Sequence, residues 1–263
     1  MPTLTLPDGE PLHYETHGAG PPLVLVTGLN GLAAFWHPHV EALASRFTLV
    51  LHDHRGCGAS SLKPVAFSVG QMAADTLALM DGLGIERADI VGHSTGGAIG
   101  QVLAIDHPGR VGRLLVSASW PGPDPYFDLL FHTRASVLKA LGPSEYVRQT
   151  ALFGRPPRWL LEHPEETLPP PPEAVGRLVR SVECTLARIE AIRAYDRRAD
   201  LKRIAATTLV AGAEDDMVTP AHLSRELAAA IPGARLDMAV WGGHFYPVIR
   251  PDILRDQVFS FLS

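Results

Sequence analysis

The sequence has no long apolar run, no cluster of basic residues and almost no cysteine. No apolar run approaches the ~20 residues that span a bilayer, and the first 18 residues lack the basic and apolar regions of a secretory signal. The two cysteines, Cys57 and Cys184, lie outside any CxxC pattern, which is typical of free thiols in a reducing compartment. We therefore expect a cytoplasmic protein.

The charge pattern excludes two classes of partner. The net charge is −5 and no run of lysine or arginine occurs, so the sequence predicts neither nucleic-acid nor membrane binding. Histidine is plentiful, with 12 residues, but His52 and His54 lack further ligands near them and no His/Cys metal cluster occurs. We expect a small-molecule substrate and no bound metal.

Apolar strands alternate with helical patterns along most of the chain. LTLP and PLHYETHG flank the turn Pro7-Asp8-Gly9, as in a hairpin, and six further segments are strand-like: PLVLVTG, FTLVLHD, ADIVG, RLLVSAS, TTLVAGA and ARLDMAV. Continuous apolar strands that alternate with helices are typical of a parallel sheet covered on both faces. The sequence therefore predicts an α/β fold with a mostly parallel eight-stranded sheet.

Residues 121–200 interrupt this alternation. The segment contains no clear strand, is crowded with proline between 154 and 172, and carries two or three helical patterns with large apolar side chains. A disordered insertion is one interpretation, but long insertions in compact domains are usually functional. We predict a helical cap over a core formed by residues 1–120 and 201–263.

The stretch IVGHSTGGAIG (90–100) places four glycines around Ser94, between a strand and a helix. In a nucleophile elbow, small residues two positions before and after the serine let the strand and helix pass closely, and Gly92 and Gly96 occupy those positions. The N-terminus of the following helix favours negative charge. A simple strand-to-helix turn needs neither the serine nor all four glycines, so we predict that Ser94 is a nucleophile.

A serine nucleophile requires a base that is oriented by an acid. EDDMVTP follows one predicted strand and WGGHFYP follows the next, so both segments should reach the same edge of the sheet as Ser94. We assign His244 as the base and Asp216 as the acid, with Asp215 as a close competitor and Asp124 as a weaker one. His93 is adjacent to the serine and is expected to pack rather than react.

Two backbone amides should stabilise the oxyanion. One is Thr95, directly after the nucleophile, and the other is Leu29 in the glycine-flanked segment TGLNG (27–31). The alternative is that this segment is a tight turn that requires Gly28 and Gly31 for its backbone and has no role in the reaction. Seven residues are candidates for contacts with substrate, although each is equally compatible with core packing: Asn30, Trp36, Trp120, Phe127, Phe131, Trp159 and Phe245.

Together these segments resemble the α/β-hydrolase superfamily over nearly the whole chain. TGLNG stands where the family has H-G-x-x-G, and DHRGCGAS (53–60), GHSTGG, EDDMVTP and GGH match its other motifs. The family's acid commonly lies four residues before the proline, which favours Asp216. The resemblance implies that Asp53 and Arg55 brace a loop, and that no cofactor is needed. Thr27 departs from the family's usual histidine.

Within the superfamily, the chain resembles the 3-oxoadipate enol-lactonase branch and the aminoacrylate (carbamate) hydrolases of pyrimidine breakdown. The segments that carry this resemblance are TGLNGLAAFWHPHV, SASWPGP, and RIEAIRAYDRRADLKRI through GGHF. We expect a serine hydrolase that cleaves a small ester or lactone through an acyl-enzyme (EC 3.1.1). One alternative is a carbamate (C–N) hydrolase, in which either the serine or a water attacks. Another is a C–C hydrolase or a perhydrolase on the same triad. A ligand receptor on this fold would be expected to lose triad members, and all three are present. Both a monomer and a homodimer remain open.

Overall fold

The computed structural model describes residues 2–263 and contains one sheet of eight strands. The strands lie in the order β1-β2-β4-β3-β5-β6-β7-β8. Their bounds are β1 (Thr3–Thr5), β2 (Pro11–His17), β3 (Pro22–Val26), β4 (Thr48–His52), β5 (Ala88–His93), β6 (Val111–Ser117), β7 (Thr207–Ala213) and β8 (Arg235–Ala239).

The sheet is antiparallel at one end and parallel elsewhere. β2 pairs antiparallel with β1 and β4, and all pairs from β4 to β8 are parallel. Parallel strands require crossover connections, which helices on the two faces supply. The predicted mostly parallel eight-stranded α/β fold is confirmed.

Ten α-helices accompany the strands in the described part of the chain. Their bounds are α1 (His37–Ala44), α2 (Val69–Gly82), α3 (Thr95–Asp106), α4 (Pro125–Gly154), α5 (Pro157–Glu162), α6 (Pro172–Leu178), α7 (Val182–Arg193), α8 (Ala221–Ala230), α9 (Tyr246–Ile249) and α10 (Pro251–Phe261). None of the helices between residues 2 and 263 combines the length and the apolar character that crossing a bilayer requires.

Two hydrophobic cores lie on opposite faces of the sheet, because successive side chains of a strand point in opposite directions. On β3, Val24 and Val26 belong to the core that contains residues of α2 and α3. Leu23 and Leu25 belong to the core that contains residues of α1 and α10. Apolar residues at every position of the central strands are therefore required by burial on both faces.

The segment between β6 and β7 contains α4 to α7 and no strand. α4 kinks at Gly142, whose φ of 82° is outside the helical region, and Pro143 follows. α4 packs against α6 and α7, and α4 and α6 face the carboxyl edge of the sheet across a cavity. This edge carries the loops that follow β3, β5, β7 and β8.

Candidate active site

Ser94 occupies a strained turn between β5 and α3. Its φ of 56° and ψ of −119° are rare for a residue with a side chain. The turn is held by the Ser94 N–H, which donates to Ser117 O at 2.8 Å, and by the Ser94 carbonyl, which accepts from Gly97 N at 2.9 Å. Such over-determined strain at a strand-to-helix turn is the geometry of a nucleophile elbow.

Close backbone contacts explain the glycines on either side of Ser94. A Cβ atom at Gly92 would overlap the carbonyl oxygen of Gly96, and one at Gly96 would overlap the carbonyl oxygen of Val26. Both obstructing atoms belong to backbone, which cannot move aside as a flexible side chain would. The glycines therefore allow β3, β5 and α3 to crowd around one hydroxyl group.

The structure brings Ser94, His244 and Asp216 into one hydrogen-bonded chain. His244 Nε2 lies 3.0 Å from Ser94 Oγ, and His244 Nδ1 lies 2.9 Å from Asp216 Oδ2. The three residues are each only 5–6% exposed. Because the Nδ1–H of His244 donates to Asp216, Nε2 carries no proton and is the acceptor for the serine hydroxyl. This is the arrangement in which the histidine can remove the serine proton.

The two competing aspartates have other roles in the structure. Asp215 Oδ1 accepts from the backbone N–H groups of Gly242 and Gly243 at 3.0 and 2.8 Å, and thereby fixes the loop that carries His244. Asp124 caps the N-terminus of α4 through Phe127 N at 2.7 Å. Asp216 is therefore the carboxylate that contacts the imidazole of His244.

The two predicted oxyanion donors lie beside the nucleophile. Thr95 begins α3 directly after Ser94, and Leu29 follows Gly28, whose Cα is so near Ser94 that an added Cβ would lie 3.1 Å from the serine Cβ. Among residues 2–263, neither the Leu29 nor the Thr95 backbone N–H donates a hydrogen bond. Gly31 N donates to Gly28 O at 3.0 Å. The Gly28 carbonyl and the Leu29 N–H belong to one trans peptide and point in opposite directions, so the Leu29 N–H points away from Gly31.

A cavity of about 620 Å³ separates the sheet edge from the helices between β6 and β7. Ser94 and His244 line it from the sheet side. Four of the predicted substrate-contacting residues also line it: Asn30, Phe131, Trp159 and Phe245.

Three of the predicted substrate-contacting residues are placed elsewhere, which corrects that prediction. Trp36, Trp120 and Phe127 are at most 1% exposed. Trp36 belongs to the core beside α1 and α10, whereas Trp120 and Phe127 pack against each other at 4.7 Å in the opposite core. Their large apolar side chains are buried in these cores and do not line the cavity.

His93 packs beside His244. Its ring stacks on Phe35 at 4.8 Å and lies 4.9 Å from the His244 ring, and a 3.1 Å hydrogen bond joins its Nδ1 and Ser117 Oγ. Burial lowers the pKa of His93 well below its ordinary value, and the nearby His244 adds to this shift. A neutral ring at this position supports His244 without competing for its proton.

Arg188 on α7 is a residue that sequence reasoning did not identify. It is 1% exposed and donates from Nη2 to Leu29 O at 3.0 Å and to His54 Nδ1 at 2.9 Å, and from Nη1 to Arg55 O at 3.1 Å. A helix of the segment between β6 and β7 thus holds the carbonyl of Leu29. No local sequence signal distinguishes this arginine from the solvated arginines around it.

The DHRGCGAS segment acts as a brace, in line with the resemblance. Asp53 accepts from Ala33 N at 2.8 Å and from Ala59 N at 2.9 Å, and Arg55 pairs with Asp75 at 2.9 Å. Thr27, which replaces the family's usual histidine, is buried and lines the cavity. Within residues 2–263, no group of three or more His, Cys, Asp or Glu side chains is arranged to hold a metal ion.

The profile of the family described as alpha/beta hydrolase fold matches residues 21–249. A protein of Azorhizobium caulinodans, provisionally named carbamate hydrolase RutD, is 38% identical over 250 residues, which is 95% of this chain and 94% of that protein. A protein of Caulobacter vibrioides with the same name is 37% identical over 100% of this chain and 99% of its own.

A solved structure shares the whole architecture. The enol-lactonase from Burkholderia xenovorans LB400 superimposes with a TM-score of 0.87, at 28% identity and over 99% of each chain. The family match and these relatives all span the segments that carry Ser94, Asp216 and His244.

Proposed function

The chain belongs to the α/β-hydrolase family, and on that premise we propose that it cleaves a small ester or lactone through an acyl-enzyme on Ser94. The observation that carries the proposal is the chain Ser94 Oγ–His244 Nε2–His244 Nδ1–Asp216 Oδ2, with distances of 3.0 and 2.9 Å, on the wall of a cavity.

In the first step, Ser94 Oγ attacks the carbonyl carbon and its proton passes to His244 Nε2. The negative oxygen of the tetrahedral intermediate accepts from the N–H groups of Leu29 and Thr95, and each such donor contributes about 10²–10³-fold to kcat. The imidazolium is stabilised by Asp216 and returns the proton to the leaving alcohol. Water then attacks the acyl-Ser94 carbonyl with the same base, and releases the acid and the free serine.

Carbamate (C–N) hydrolysis is the second candidate, because relatives that match nearly the whole chain carry that name. The Leu29 and Thr95 N–H groups would donate to the carbonyl oxygen of a carbamate, and His244 would protonate the leaving nitrogen. In this reaction either Ser94 or a water activated by His244 could be the attacking group.

A substrate panel separates the two candidates. Short p-nitrophenyl esters, lactones, thioesters and carbamates are assayed with wild type, Ser94→Ala and the surface control Ser45→Ala. Ester chemistry on Ser94 predicts a pre-steady-state burst with the esters and loss of turnover in Ser94→Ala only. Turnover that survives in Ser94→Ala would contradict the acyl-enzyme, and a preference for carbamates among the survivors would favour attack by water.

A further inference from the structure

We propose that helix α4 positions the acid–base pair: one end of α4 holds the loop that carries Asp216, and the other end holds the loop that carries His244. Tyr126 and Gly154, at these two ends, are the positioning residues. This inference rests on the function proposed above, and it identifies what keeps the acid and the base of that reaction in place.

Helix α4 folds back on itself. In a straight helix, Arg134 and Thr150 would be separated by about 24 Å along the axis, at 1.5 Å per residue. The Nη2 of Arg134 nevertheless donates to Thr150 Oγ1 at 2.6 Å, and its Cζ lies 4.9 Å from the ring centroid of Tyr146. The chain turns at Gly142, whose φ of 82° and ψ of −178° favour glycine. The two ends of α4 can therefore reach the same part of the molecule.

The first end of α4 is attached to the loop that carries Asp216. Tyr126 Oη donates to the carbonyl oxygen of Met217 at 2.6 Å, and Met217 directly follows Asp216. Asp124, which caps this end of α4, is hydrogen-bonded at 2.6 Å to His222 Nε2 on α8, the helix that follows the same loop. Because the Met217 carbonyl is one residue away from Asp216, a shift of this helix end would shift the carboxylate.

The last residue of α4 is attached to the loop that carries His244. Phe245 donates its backbone N–H to the carbonyl oxygen of Gly154 at 3.0 Å, and its ring lies so close that a Cβ at Gly154 would overlap it. On the other side of His244, a Cβ at Gly243 would lie 2.9 Å from the Gly154 carbonyl oxygen and 3.0 Å from Pro156 Cδ. Both neighbours of His244 in the chain therefore pack against this end of α4.

Helix α5 extends the contact with the same loop. The Cζ of Arg158 lies 3.9 Å from the ring centroid of Trp241, a distance at which the guanidinium is attracted to the aromatic face. The core holds the loop from another side, because Asp215 Oδ1 accepts from Gly243 N at 2.8 Å. The His244 loop is thus fixed between the core and the helices between β6 and β7.

The reaction proposed above depends on how precisely the two loops are placed. Asp216 follows β7 and His244 follows β8, and their side chains meet in a hydrogen bond of 2.9 Å. A misplacement of ~1 Å can lower a rate by about 10²-fold. Tyr126 and Gly154 are not among the described residues that line the cavity, so their contacts act on the loops and not on the substrate. Loss of these contacts should therefore lower kcat and change KM little.

The variant Tyr126→Phe tests the first end of α4, because it removes only the hydroxyl group that donates to Met217. We expect kcat for p-nitrophenyl acetate to fall about 3–10-fold, the effect of one neutral hydrogen bond, with little change in KM. The control Tyr14→Phe removes a hydroxyl group from β2, outside both loops, and should keep the wild-type kcat.

The variant Gly154→Ala tests the other end, because its Cβ would displace the Phe245 ring. We expect kcat to fall about 10–100-fold, and to fall less when the same change is made in a Phe245→Leu background, which lacks the ring. The control Gly176→Ala adds a Cβ to helix α6 that meets no atom within 4 Å, and should keep the wild-type kcat.

A spectroscopic measurement separates this inference from the proposed function. The Nδ1 proton of His244, hydrogen-bonded to Asp216, gives a downfield proton resonance in protein with ¹⁵N-labelled histidine, and its absence in His244→Gln identifies it. In Tyr126→Phe and Gly154→Ala the resonance should move upfield and exchange faster with water, whereas Gly176→Ala should leave it unchanged. These changes would support the role of α4 even where wild type cleaves no ester, an outcome that would refute only the esterase.

Circular dichroism and Tm establish first that each variant is folded. If Gly154→Ala fails to fold, Arg158→Ala takes its place, since it removes the stacking on Trp241 from an exposed position. Folded variants at both ends of α4 that keep the wild-type kcat and the wild-type His244 resonance would overturn the inference, even if their Tm were lower.

Discussion

Replacement of Asp216 by asparagine should nearly abolish turnover while the fold is preserved. The carboxylate accepts from Val218 N and Thr219 N through Oδ1, at 2.7 and 2.9 Å, and from His244 Nδ1 through Oδ2, at 2.9 Å. In Asp216→Asn, the amide oxygen has to face the two backbone donors. The amide NH₂ group then faces His244 and donates to Nδ1.

This reversal leaves the histidine in the wrong tautomer, because Nε2 now carries the proton and cannot accept one from Ser94. In the serine protease that defines this effect, the same substitution lowers kcat by about 10⁴-fold, or ~5.4 kcal/mol at 1.36 kcal/mol per factor of ten. We expect a loss of that order in kcat for p-nitrophenyl esters, with KM changed little.

Asp215→Asn is the matched control. Its amide oxygen can still accept from Gly242 and Gly243, so kcat should fall by less than about tenfold. Steady-state kinetics of both variants at pH 7.5 test which of the two aspartates is the acid. A loss in Asp215→Asn as large as in Asp216→Asn, or an Asp216→Asn variant within tenfold of wild type, would refute the assignment of the acid.

The remaining predictions concern the oxyanion loop, the elbow and the buried histidines. Arg188→Met should release the Leu29 carbonyl and lower kcat by about 10–100-fold with little change in KM, and Arg188→Lys should restore part of kcat, as steady-state kinetics would show. Gly96→Ala should lower the free energy of unfolding in urea by ~2 kcal/mol or more, because its Cβ would overlap a strand carbonyl. Burial lowers the pKa of His39 and His52 to about 4, so the unfolded state binds the additional protons below pH 6.5. The free energy of unfolding should therefore fall by about 2 kcal/mol per histidine between pH 7 and pH 5, and urea denaturation at the two pH values checks this.

Each of these predictions has an internal comparison. Arg193 lies on the same helix as Arg188 but pairs with Asp128 instead of the Leu29 carbonyl, so Arg193→Met should keep kcat. Gly70→Ala introduces a Cβ that meets only Ser68 Oγ at 3.7 Å, and should not destabilise the protein. Replacement of His52 by glutamine should remove its share of the pH dependence. Equal effects in variant and comparison would contradict the respective argument.

The sheet and the hydrogen-bonded chain of three side chains were predictable because both depend on local patterns. Apolar strands identify the sheet, and the ends of parallel strands meet at one edge, so Ser94, Asp216 and His244 had to approach one another. The choice between Asp215 and Asp216 was not fixed by strand order, since adjacent residues point in different directions. Only the geometry shows that Asp215 contacts the loop backbone and that Asp216 contacts the imidazole of His244.

The cavity wall was much less predictable. Aromatic side chains are common in substrate pockets, but the direction in which each one points depends on tertiary packing. That packing places Trp36, Trp120 and Phe127 in the hydrophobic cores. Arg134 and Arg188 resemble solvated helix arginines in sequence. Their burial results from how the helices between β6 and β7 close over the sheet edge, which no local pattern encodes.

The most direct test of the central claim is the mass of the protein during turnover. The enzyme is mixed with a p-nitrophenyl ester, quenched in acid within milliseconds and examined as intact protein and as peptides. Acyl transfer predicts that the protein gains one acyl group, located on the peptide that contains Ser94, and that Ser94→Ala gains none. Turnover of the ester with no acyl adduct on Ser94 at any quench time, or the same adduct in Ser94→Ala, would contradict the account.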